Sequence, residues 1–318
     1  MRSEVKALPA EFLERLRRIL PSSQFDTVAN TFAEPKPTTF RVNTLKATTA
    51  DVRAELEGVG FRLKGVAWYP DAFVMETGRL RELQETAAYQ QGGLYVQSLS
   101  SMLPPLVLGP QPHEEVLDLA AAPGSKTTQM ACLMRGAGRL VAIDNNRVRF
   151  YRLRANLALQ DARNVEPLLR AGEAAGRMFP DRFDRVLVDA PCSAEGRFDV
   201  REPASYRYWR PGKIHEMVRK QRRLLAAGLA ALRPGGLLVY STCTFAPEEN
   251  EGVVSWALAS WGETVALEPV ELPGPQAQPG LTRWQDVQFQ PAMRATARIL
   301  PSAQMEGFFL ARLRKKSS

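Results

Sequence analysis

Cysteine and histidine are scarce in this chain of 318 residues, which has three cysteines and two histidines. An odd number of cysteines argues against a disulfide framework. Cys132 lies within an apolar helical segment, and we interpret it as a buried structural residue. His113 and His215 are too few for a histidine-rich metal site, and they disfavour a catalytic triad centred on histidine. We therefore expect neither a metal centre nor a disulfide-stabilised fold.

Long apolar runs are also missing. No stretch approaches the roughly 18 apolar residues that a membrane-spanning helix needs. The first six residues lack the apolar core of a signal peptide. These two absences predict a cytoplasmic protein that does not associate with a membrane.

Positive charge exceeds negative charge. Lysine and arginine number 42 against 34 for aspartate and glutamate, which gives a formal net charge of +8. Such a balance favours a polyanionic partner. Ten basic residues cluster on two predicted helices: Arg147, Arg149, Arg152, Arg154, Arg210, Lys213, Arg219, Lys220, Arg222 and Arg223. We expect about half of them to contact phosphates and the others to be solvated.

Secondary-structure signals divide the chain into two domains. Residues 1–33 have the pattern of two short helices separated at Pro21, and a mixture of strand and helix signals follows. From residue 93 onward, apolar strands alternate with helices, which is typical of a parallel sheet covered on both faces. We predict the α/β class, with a doubly wound, Rossmann-like domain at 93–318 and a small N-terminal α+β domain at 1–92.

A loop of small residues follows the first predicted strand of the larger domain. It comprises Ala120, Ala121, Ala122, Pro123, Gly124, Ser125 and Lys126. Small side chains let a ligand approach the backbone, and the N-terminus of the following helix offers free N–H groups. Asp144 ends the next predicted strand, where an acid can accept hydrogen bonds from both hydroxyls of a ribose. This arrangement predicts a nucleotide-type binding site.

The same loop matches neither of two common phosphate-binding motifs. It has one glycine, whereas the dinucleotide motif requires three. Ser125 stands where the P-loop has the glycine before its lysine. A ligand with a ribose but no pyrophosphate fits better than NAD or ATP. We therefore predict S-adenosylmethionine as the cofactor.

Two of the cysteines follow apolar strands. Residues 185–193 lead through Asp189 to Cys192, and residues 236–244 lead to Cys243. A thiolate that adds to C6 of cytosine makes C5 nucleophilic enough to accept a methyl group from a sulfonium donor. An adjacent acid such as Asp189 can hold N3 protonated, and a second group must then help to release the enzyme. The residues by themselves leave the two cysteine roles exchangeable.

A set of six motifs extends over nearly the whole chain. They are residues 189–193 (Asp-Ala-Pro-Cys-Ser), 241–244 (Ser-Thr-Cys-Thr), 122–127 (Ala-Pro-Gly-Ser-Lys-Thr), 41–46 (Arg-Val-Asn-Thr-Leu-Lys), 97–102 and 306–309. This set resembles the Nop/Sun (Fmu) family of RNA cytosine-5 methyltransferases. It is specific as a set, although single motifs are not. The likeness is greatest to the bacterial members that methylate 16S ribosomal RNA.

The resemblance implies a role for each catalytic residue. Cys243 would be the nucleophile, and Cys192 would assist proton removal or product release. Lys126 would lie near the target base, and Asp189 would face both the base and the methyl donor. DNA cytosine methyltransferases instead use the cysteine that follows proline, which here is Cys192.

The cofactor site implied by the resemblance departs from the family at three positions. In the loop, Ser125 replaces the family's usual second glycine and Ala120 stands where some members have a cysteine; both residues are small, so we expect little effect. The loop at 120–126, Asp144 and Asp189 would hold the cofactor. Ala171, however, stands where the family usually carries an acid that contacts the adenine amine. Either Glu173 replaces that acid, or backbone and apolar contacts hold adenine. A lost hydrogen bond costs about 0.5–1.5 kcal/mol, which weakens binding without abolishing it.

We therefore expect a monomeric RNA cytosine-C5 methyltransferase whose small domain contacts RNA. Ribosomal RNA is the favoured substrate. Transfer RNA is the alternative, because the chain ends soon after Phe309, where similar ribosomal members often carry a further RNA-binding domain. A DNA cytosine methyltransferase and a non-catalytic RNA-binding assembly factor are rival interpretations. Both cysteines, Asp189 and Lys126 argue against a non-catalytic factor, which would not need them.

Overall fold

The computed structural model describes residues 2–274 and 277–317. The helices are α1 Ala10–Ile19, α2 Ser22–Asn30, α3 Thr49–Gly58, α4 Leu80–Gln84, α5 Ala87–Gln90, α6 Leu99–Leu108, α7 Ser125–Leu133, α8 Arg147–Leu159, α9 Ala175–Met178, α10 Pro211–Ala231 and α11 Glu251–Trp261. The strands are β1 Thr39–Val42, β2 Leu63–Val66, β3 Tyr69–Met75, β4 Leu94–Val96, β5 Glu115–Asp118, β6 Arg139–Asp144, β7 Val165–Leu169, β8 Phe183–Asp189, β9 Leu232–Thr242, β10 Val265–Glu268, β11 Gln278–Pro279, β12 Arg283–Trp284, β13 Val287–Gln288, β14 Ala297–Ile299 and β15 Phe308–Lys315. None of the helices in these ranges is long and apolar enough to cross a membrane.

The larger sheet has the strand order β11-β14-β15-β9-β8-β5-β6-β7, and β10 also pairs with β15. Strands β5 to β9 are parallel to one another, whereas β10, β11, β14 and β15 form the antiparallel part. The chain passes from β5 outward to β7 and then returns to β8, so the strand order reverses between β5 and β8. Ligands bind such sheets at the carboxyl ends of the strands beside this reversal. The predicted doubly wound α/β fold is confirmed.

The smaller sheet has the antiparallel order β2-β3-β1-β4. Helix α3 covers it with the buried side chains Val52 and Leu56, and Phe40 stacks on Phe73 with 5.5 Å between ring centroids. Thr48 caps α3, since its side chain accepts the Asp51 N–H at 3.1 Å. Strand β4 belongs to this sheet, although it lies beyond the boundary predicted at 92/93.

Helices α1 and α2 pack on the larger sheet rather than on the smaller one. Pro21 lies between them, outside both helices. The ring of Phe12 meets that of Phe198 with 4.8 Å between centroids, and Phe32 meets Phe245 at 6.1 Å. The N-terminal segment therefore packs on the segments that follow β8 and β9, where Phe198 and Phe245 lie, and completes the core on this side of the larger sheet.

Arg41 of β1 joins the two sheets. Its side chain is completely buried, and its guanidinium donates to Gln97 Oε1 (2.9 Å), Ser125 O (3.0 Å) and Thr128 Oγ1 (2.7 Å). The guanidinium also lies over the ring of Tyr95, 5.2 Å from its centroid. All these partners are neutral, and together they satisfy a buried cation. The contacts position the smaller sheet against the first turn of α7.

The proline-rich residues 262–303, whose order the sequence does not predict, form the antiparallel edge of the larger sheet. Strand β14 pairs with β15, and β11 pairs with β14. Strand β10 pairs with the other end of β15. Residues 275 and 276 lie outside the described residues.

Candidate active site

Four strands of the larger sheet end in chemically active side chains at one edge. Strand β5 ends at Asp118, β6 at Asp144 and β8 at Asp189, while Cys243 directly follows β9. Strands β8 and β9 are parallel neighbours, and Asp189 pairs with Ser241 in their register. The two strands that lead to Cys192 and Cys243 therefore lie side by side, as a shared site requires.

A cavity of about 370 Å³ opens at this edge. Loop 120–126 contributes every residue to its lining except Gly124. The other polar or reactive residues of the lining are Tyr95, Gln97, Ser98, Ser101, Asp118, Arg149, Asp189, Arg197, Cys243 and Glu306. Cys192 does not line this cavity.

The sulfur atoms of Cys192 and Cys243 lie 3.3 Å apart. Both cysteines are free thiols and partly exposed. The hydrogen bond to Cys243 and burial of the sulfur raise the pKa of Cys192 well above its usual range. Cys192 is therefore held as a protonated thiol beside the second sulfur.

Backbone hydrogen bonds hold the two cysteine loops together. The Gly196 N–H donates to Cys243 O at 2.9 Å, and the hydroxyls of Ser193 and Thr244 lie 2.7 Å apart. A Cβ atom added to Gly196 would lie 2.2 Å from Gly307 O, so only glycine fits at this contact. The sulfur positions consequently depend on packing between three chain segments.

Two buried glutamates support these loops. Glu249 accepts hydrogen bonds from Ser193 N (3.0 Å) and Gln221 Nε2 (2.7 Å), and burial raises its pKa to about 8. Glu195 accepts from Thr244 Oγ1 at 2.9 Å and from Trp209 Nε1 at 3.0 Å, and burial also raises its pKa. Sequence reasoning missed both glutamates. Their closeness to the two cysteine motifs was the available signal.

Asp189 and Lys126 form an ion pair within the cavity. Lys126 Nζ lies 2.8 Å from Asp189 Oδ2 and donates to Ser101 Oγ at 2.9 Å. The other oxygen of Asp189 accepts the Ser241 hydroxyl at 2.8 Å. Both Asp189 and Lys126 thus have fixed orientations beside Cys243.

Asp118 is a further buried acid that sequence reasoning missed. It is 1% exposed, and its carboxylate accepts the Thr127 hydroxyl at 2.7 Å. Burial raises its pKa to about 7, although the hydrogen bond from Thr127 opposes this shift. Asp118 therefore links the first turn of α7 to the end of β5 at the active-site cavity.

A second cavity, of about 210 Å³, adjoins the first. Ala120 and Arg149 line both cavities, and Asp144, Glu173 and Lys220 line only the second. Arg149 and Lys220, which sequence reasoning placed among the phosphate contacts, thus lie beside the predicted cofactor residues.

Asp144 has a fixed orientation at this second cavity. Its carboxylate accepts the N–H groups of Asn146 (2.9 Å) and Ala122 (3.2 Å). Gly124 has a φ of +108°, and a Cβ atom there would lie 2.9 Å from Leu153 Cδ1. The glycine therefore allows the loop to turn tightly beside α8. Ala171 is exposed, whereas Glu173 lines the cavity.

Comparison with known proteins identifies the family. Residues 105–314 match the family described as 16S rRNA methyltransferase RsmB/F. The chain belongs to this family. Residues 8–99 match the N-terminal domain of 16S rRNA methyltransferase RsmF.

This RsmB/F-family chain is similar to proteins named for ribosomal RNA and to one named for transfer RNA. The ribosomal RNA small subunit methyltransferase F of Serratia proteamaculans is 37% identical over 316 residues, which are 98% of this chain and 64% of that protein. The tRNA (cytosine(49)-C(5))-methyltransferase of Pyrococcus abyssi is 36% identical over 322 residues, which are 99% of this chain and 98% of that protein. A solved methyltransferase homologue from Pyrococcus horikoshii has a TM-score of 0.82 and 33% identity, covering 97% of this chain and 100% of that one. This chain thus spans about 64% of the length of the ribosomal relative.

The sulfur pair leads to a prediction about oxidation. We expect diamide to join Cys192 and Cys243 in a disulfide, since the sulfurs must close only from 3.3 Å to about 2.05 Å. Each thiol loses a hydrogen, and diamide is reduced to the hydrazine. Peptide mass spectrometry should detect the linked pair, and dithiothreitol should restore both thiols. Cys132, which is 7% exposed, should remain reduced. Oxidation of Cys132 in preference to the pair would contradict the prediction.

Proposed function

We propose that this protein transfers a methyl group from S-adenosylmethionine to C5 of a cytosine in RNA, with ribosomal RNA as the favoured substrate. The observation that carries the proposal is the pair of cysteine sulfurs 3.3 Å apart, one of which lines a cavity that also holds the Asp189–Lys126 ion pair. A strong nucleophile, a fixed carboxylate and a second thiol are the groups that C5 methylation of cytosine requires.

The nucleophile in this proposal is Cys243. It lines the cavity, whereas Cys192 does not. As the sulfur of Cys243 adds to C6 of the base, the proton of its thiol passes by way of Asp189 to N3, where the carboxylate holds it so that the ring becomes an enamine. Lys126, 2.8 Å from Asp189, balances the negative charge of the carboxylate. When bound, S-adenosylmethionine supplies the methyl group to C5.

Cys192 completes the cycle in the proposed mechanism. After methylation, the C5 proton must leave before the bond between C6 and Cys243 can break. Cys192 is the titratable side chain next to that sulfur. Once Cys243 is bonded to C6, it no longer carries the thiolate charge that helps to raise the Cys192 pKa, so Cys192 can lose its own proton to solvent and then accept the C5 proton. Expulsion of the Cys243 thiolate then restores the aromatic ring and frees the RNA.

The residues of the second cavity fit S-adenosylmethionine. The carboxylate of Asp144 is suited to the two ribose hydroxyls, and the small residues of loop 120–124 allow close approach to the backbone. The first and second cavities meet at Ala120 and Arg149, which suits an elongated ligand. Glu173 lines the same cavity as Asp144, so we assign it the adenine contact that Ala171 cannot make.

RNA is the proposed partner because the chain is basic and the family acts on RNA. The net charge of +8 favours a polyanion. A cytosine must leave any base stack to reach the sulfur of Cys243 at a sheet edge. We assign RNA contacts to the small domain and propose that the protein acts as a monomer. Transfer RNA is the second candidate substrate, since the relative from Pyrococcus abyssi is named for it.

Methyl transfer to defined RNAs tests the proposal. RNA from cells without the gene should gain a methyl group when incubated with the purified protein and labelled S-adenosylmethionine. Bisulfite sequencing should then locate one cytosine, and matched DNA should gain no label. Labelling of 16S ribosomal RNA would support the favoured substrate, and labelling of transfer RNA alone would establish the second. Tight RNA binding without labelling of any RNA would contradict catalysis and favour the assembly factor.

A further inference from the structure

A third cavity adjoins the active-site cavity and has no lining residue in common with the cavity at Asp144. Its volume is about 200 Å³, and it has both Arg197 and Glu306 in common with the active-site cavity. Lys36 and Arg201 also line it, as do the carboxylates Glu34 and Asp199. We call it the flanking cleft. The proposed mechanism assigns no role to this cleft.

Ion pairs neutralise most of the charges in the flanking cleft. Arg201 donates through Nε to Asp199 at 2.9 Å, and Glu34 accepts from Arg2 at 2.9 Å. Two cations, Arg197 and Lys36, then face the single carboxylate of Glu306. The lining itself has three cations and three carboxylates, and Arg2, which lies outside the lining, adds a fourth cation through its pairing with Glu34, so the cleft and its ion-pair partners carry one net positive charge.

Arg197 is only loosely engaged at this junction. Its Nε lies 3.6 Å from Glu306 Oε1, beyond hydrogen-bond distance, and its side chain is 63% exposed. Within the described residues, no acceptor forms a hydrogen bond with its guanidinium. Glu306 in turn accepts the Ser98 hydroxyl at 3.2 Å. The guanidinium consequently retains free donors that suit a phosphate, which accepts two parallel N–H bonds.

The backbone fixes Arg197 relative to the cysteines. Arg197 ends the short turn Glu195–Arg197, whose Gly196 N–H donates to Cys243 O at 2.9 Å. The carbonyl oxygen of Gly196 in turn accepts a hydrogen bond from the Gly307 N–H at 3.1 Å. The negative charge of Glu306 raises the pKa of Arg197, and burial opposes this shift. Arg197 lines the active-site cavity together with Cys243 and Asp189. The guanidinium therefore faces the reaction centre as well as the flanking cleft.

We propose that Arg197 binds a phosphate next to the target cytidine and that the neighbouring nucleotide occupies the flanking cleft. This inference rests on the proposed function, because it takes the cytosine base to lie in the cavity beside Cys243. The sugar-phosphate backbone of that nucleotide must then leave at the rim, where Arg197 stands. Lys36 lies farther along the same cleft; its ammonium donates to Thr31 O at 3.0 Å and to Ser302 O, which leaves one donor for the backbone.

Methylphosphonate substitution of single RNA linkages tests this contact. A neutral linkage beside the target cytidine should raise the KM for RNA about 10- to 100-fold with wild-type protein. Arg197→Ala should raise the KM for unmodified RNA by a similar factor, and the neutral linkage should then add little. The kcat at saturating RNA should stay within about threefold of wild type, because the phosphate contact is equally strong in the bound substrate and in the transition state. The KM for S-adenosylmethionine should also stay within about threefold, because the contact is to RNA. Arg197→Lys should restore part of the RNA affinity.

Arg201→Ala provides the matched control within the same cleft. It removes a cation that is already paired with Asp199, so this variant should keep the full sensitivity to the neutral linkage. Equal sensitivity of Arg197→Ala and wild-type protein at both flanking linkages would overturn the inference. A fall in kcat without a change in KM would likewise overturn it. If wild-type protein methylates no RNA, the proposed function fails instead, so the two failures are distinguishable.

Discussion

Cys243→Ser is expected to abolish methyl transfer to RNA, with a fall in kcat of about 10⁴-fold or more. A serine hydroxyl is a much weaker nucleophile than a thiolate, so addition to C6 of the base should stop. The substitution leaves the Asp189–Lys126 ion pair in place. It also leaves Asp144 unchanged, so calorimetry should give the wild-type affinity for S-adenosylmethionine. Single-turnover assays with labelled cofactor measure the loss of rate.

Cys132→Ser is the matched control for this experiment. Cys132 is buried at α7, where its thiol donates to Asn43 Oδ1 at 3.2 Å. A serine hydroxyl can donate the same hydrogen bond, so we expect activity close to that of wild type. Full activity of Cys243→Ser would refute the assignment of the nucleophile. A similar loss in both variants would point to a folding defect rather than to chemistry.

Cys192→Ala is expected to accumulate a covalent complex between the protein and RNA. Cys243 can still add to the base and C5 can still be methylated, but the thiol 3.3 Å from the attacking sulfur is absent. Loss of the C5 proton then becomes slow, and the bond between Cys243 and C6 persists. Labelled RNA should migrate with the protein on a denaturing gel, and multiple-turnover activity should fall about 10²- to 10⁴-fold, as expected for loss of a proton-transfer group.

The reciprocal variants distinguish the two cysteine roles, which the residues alone left exchangeable. The double variant Cys192→Ala/Cys243→Ser should form no complex, and neither should Cys243→Ser alone. If Cys243→Ser forms the complex and Cys192→Ala does not, the roles are reversed, as in the DNA cytosine methyltransferases. The position of Cys243 in the cavity lining, from which Cys192 is absent, is the structural reason for our assignment.

Short sequence patterns were sufficient to predict the strand ends. An apolar run that stops at Asp189 or Asp144 predicts a buried strand with a polar side chain at its end. The order of these strands in the sheet could not be predicted from the sequence. Pairing between β8 and β9 joins residues about 50 positions apart, and local patterns do not encode such pairing. The edge strands within 262–303 were missed for a related reason. They are short, and they are defined only by pairing with β15 or, for β11, with β14.

Burial decided which charged residues belong to the site. Asp118, Glu195 and Glu249 resemble ordinary acids in the sequence, yet each is at most 1% exposed and has a raised pKa. Arg197 and Arg201 are close in sequence and similar in type. The structure separates them, since Arg201 is paired with Asp199 whereas Arg197 faces Cys243 and Glu306. Such differences in partner arise from chain segments that meet only in the folded protein.

The sequence by itself determined the fold class, the loop at 120–126 and the chemical types available for catalysis, because these follow from local periodicity and from residue identity. Only the tertiary structure decided that the sulfurs of Cys192 and Cys243 lie 3.3 Å apart and that Cys243 is the one lining the cavity. It also decided that Arg41 is buried against α7 and that α1 and α2 pack on the larger sheet. These features depend on distances between segments remote in sequence, which close packing sets and composition does not.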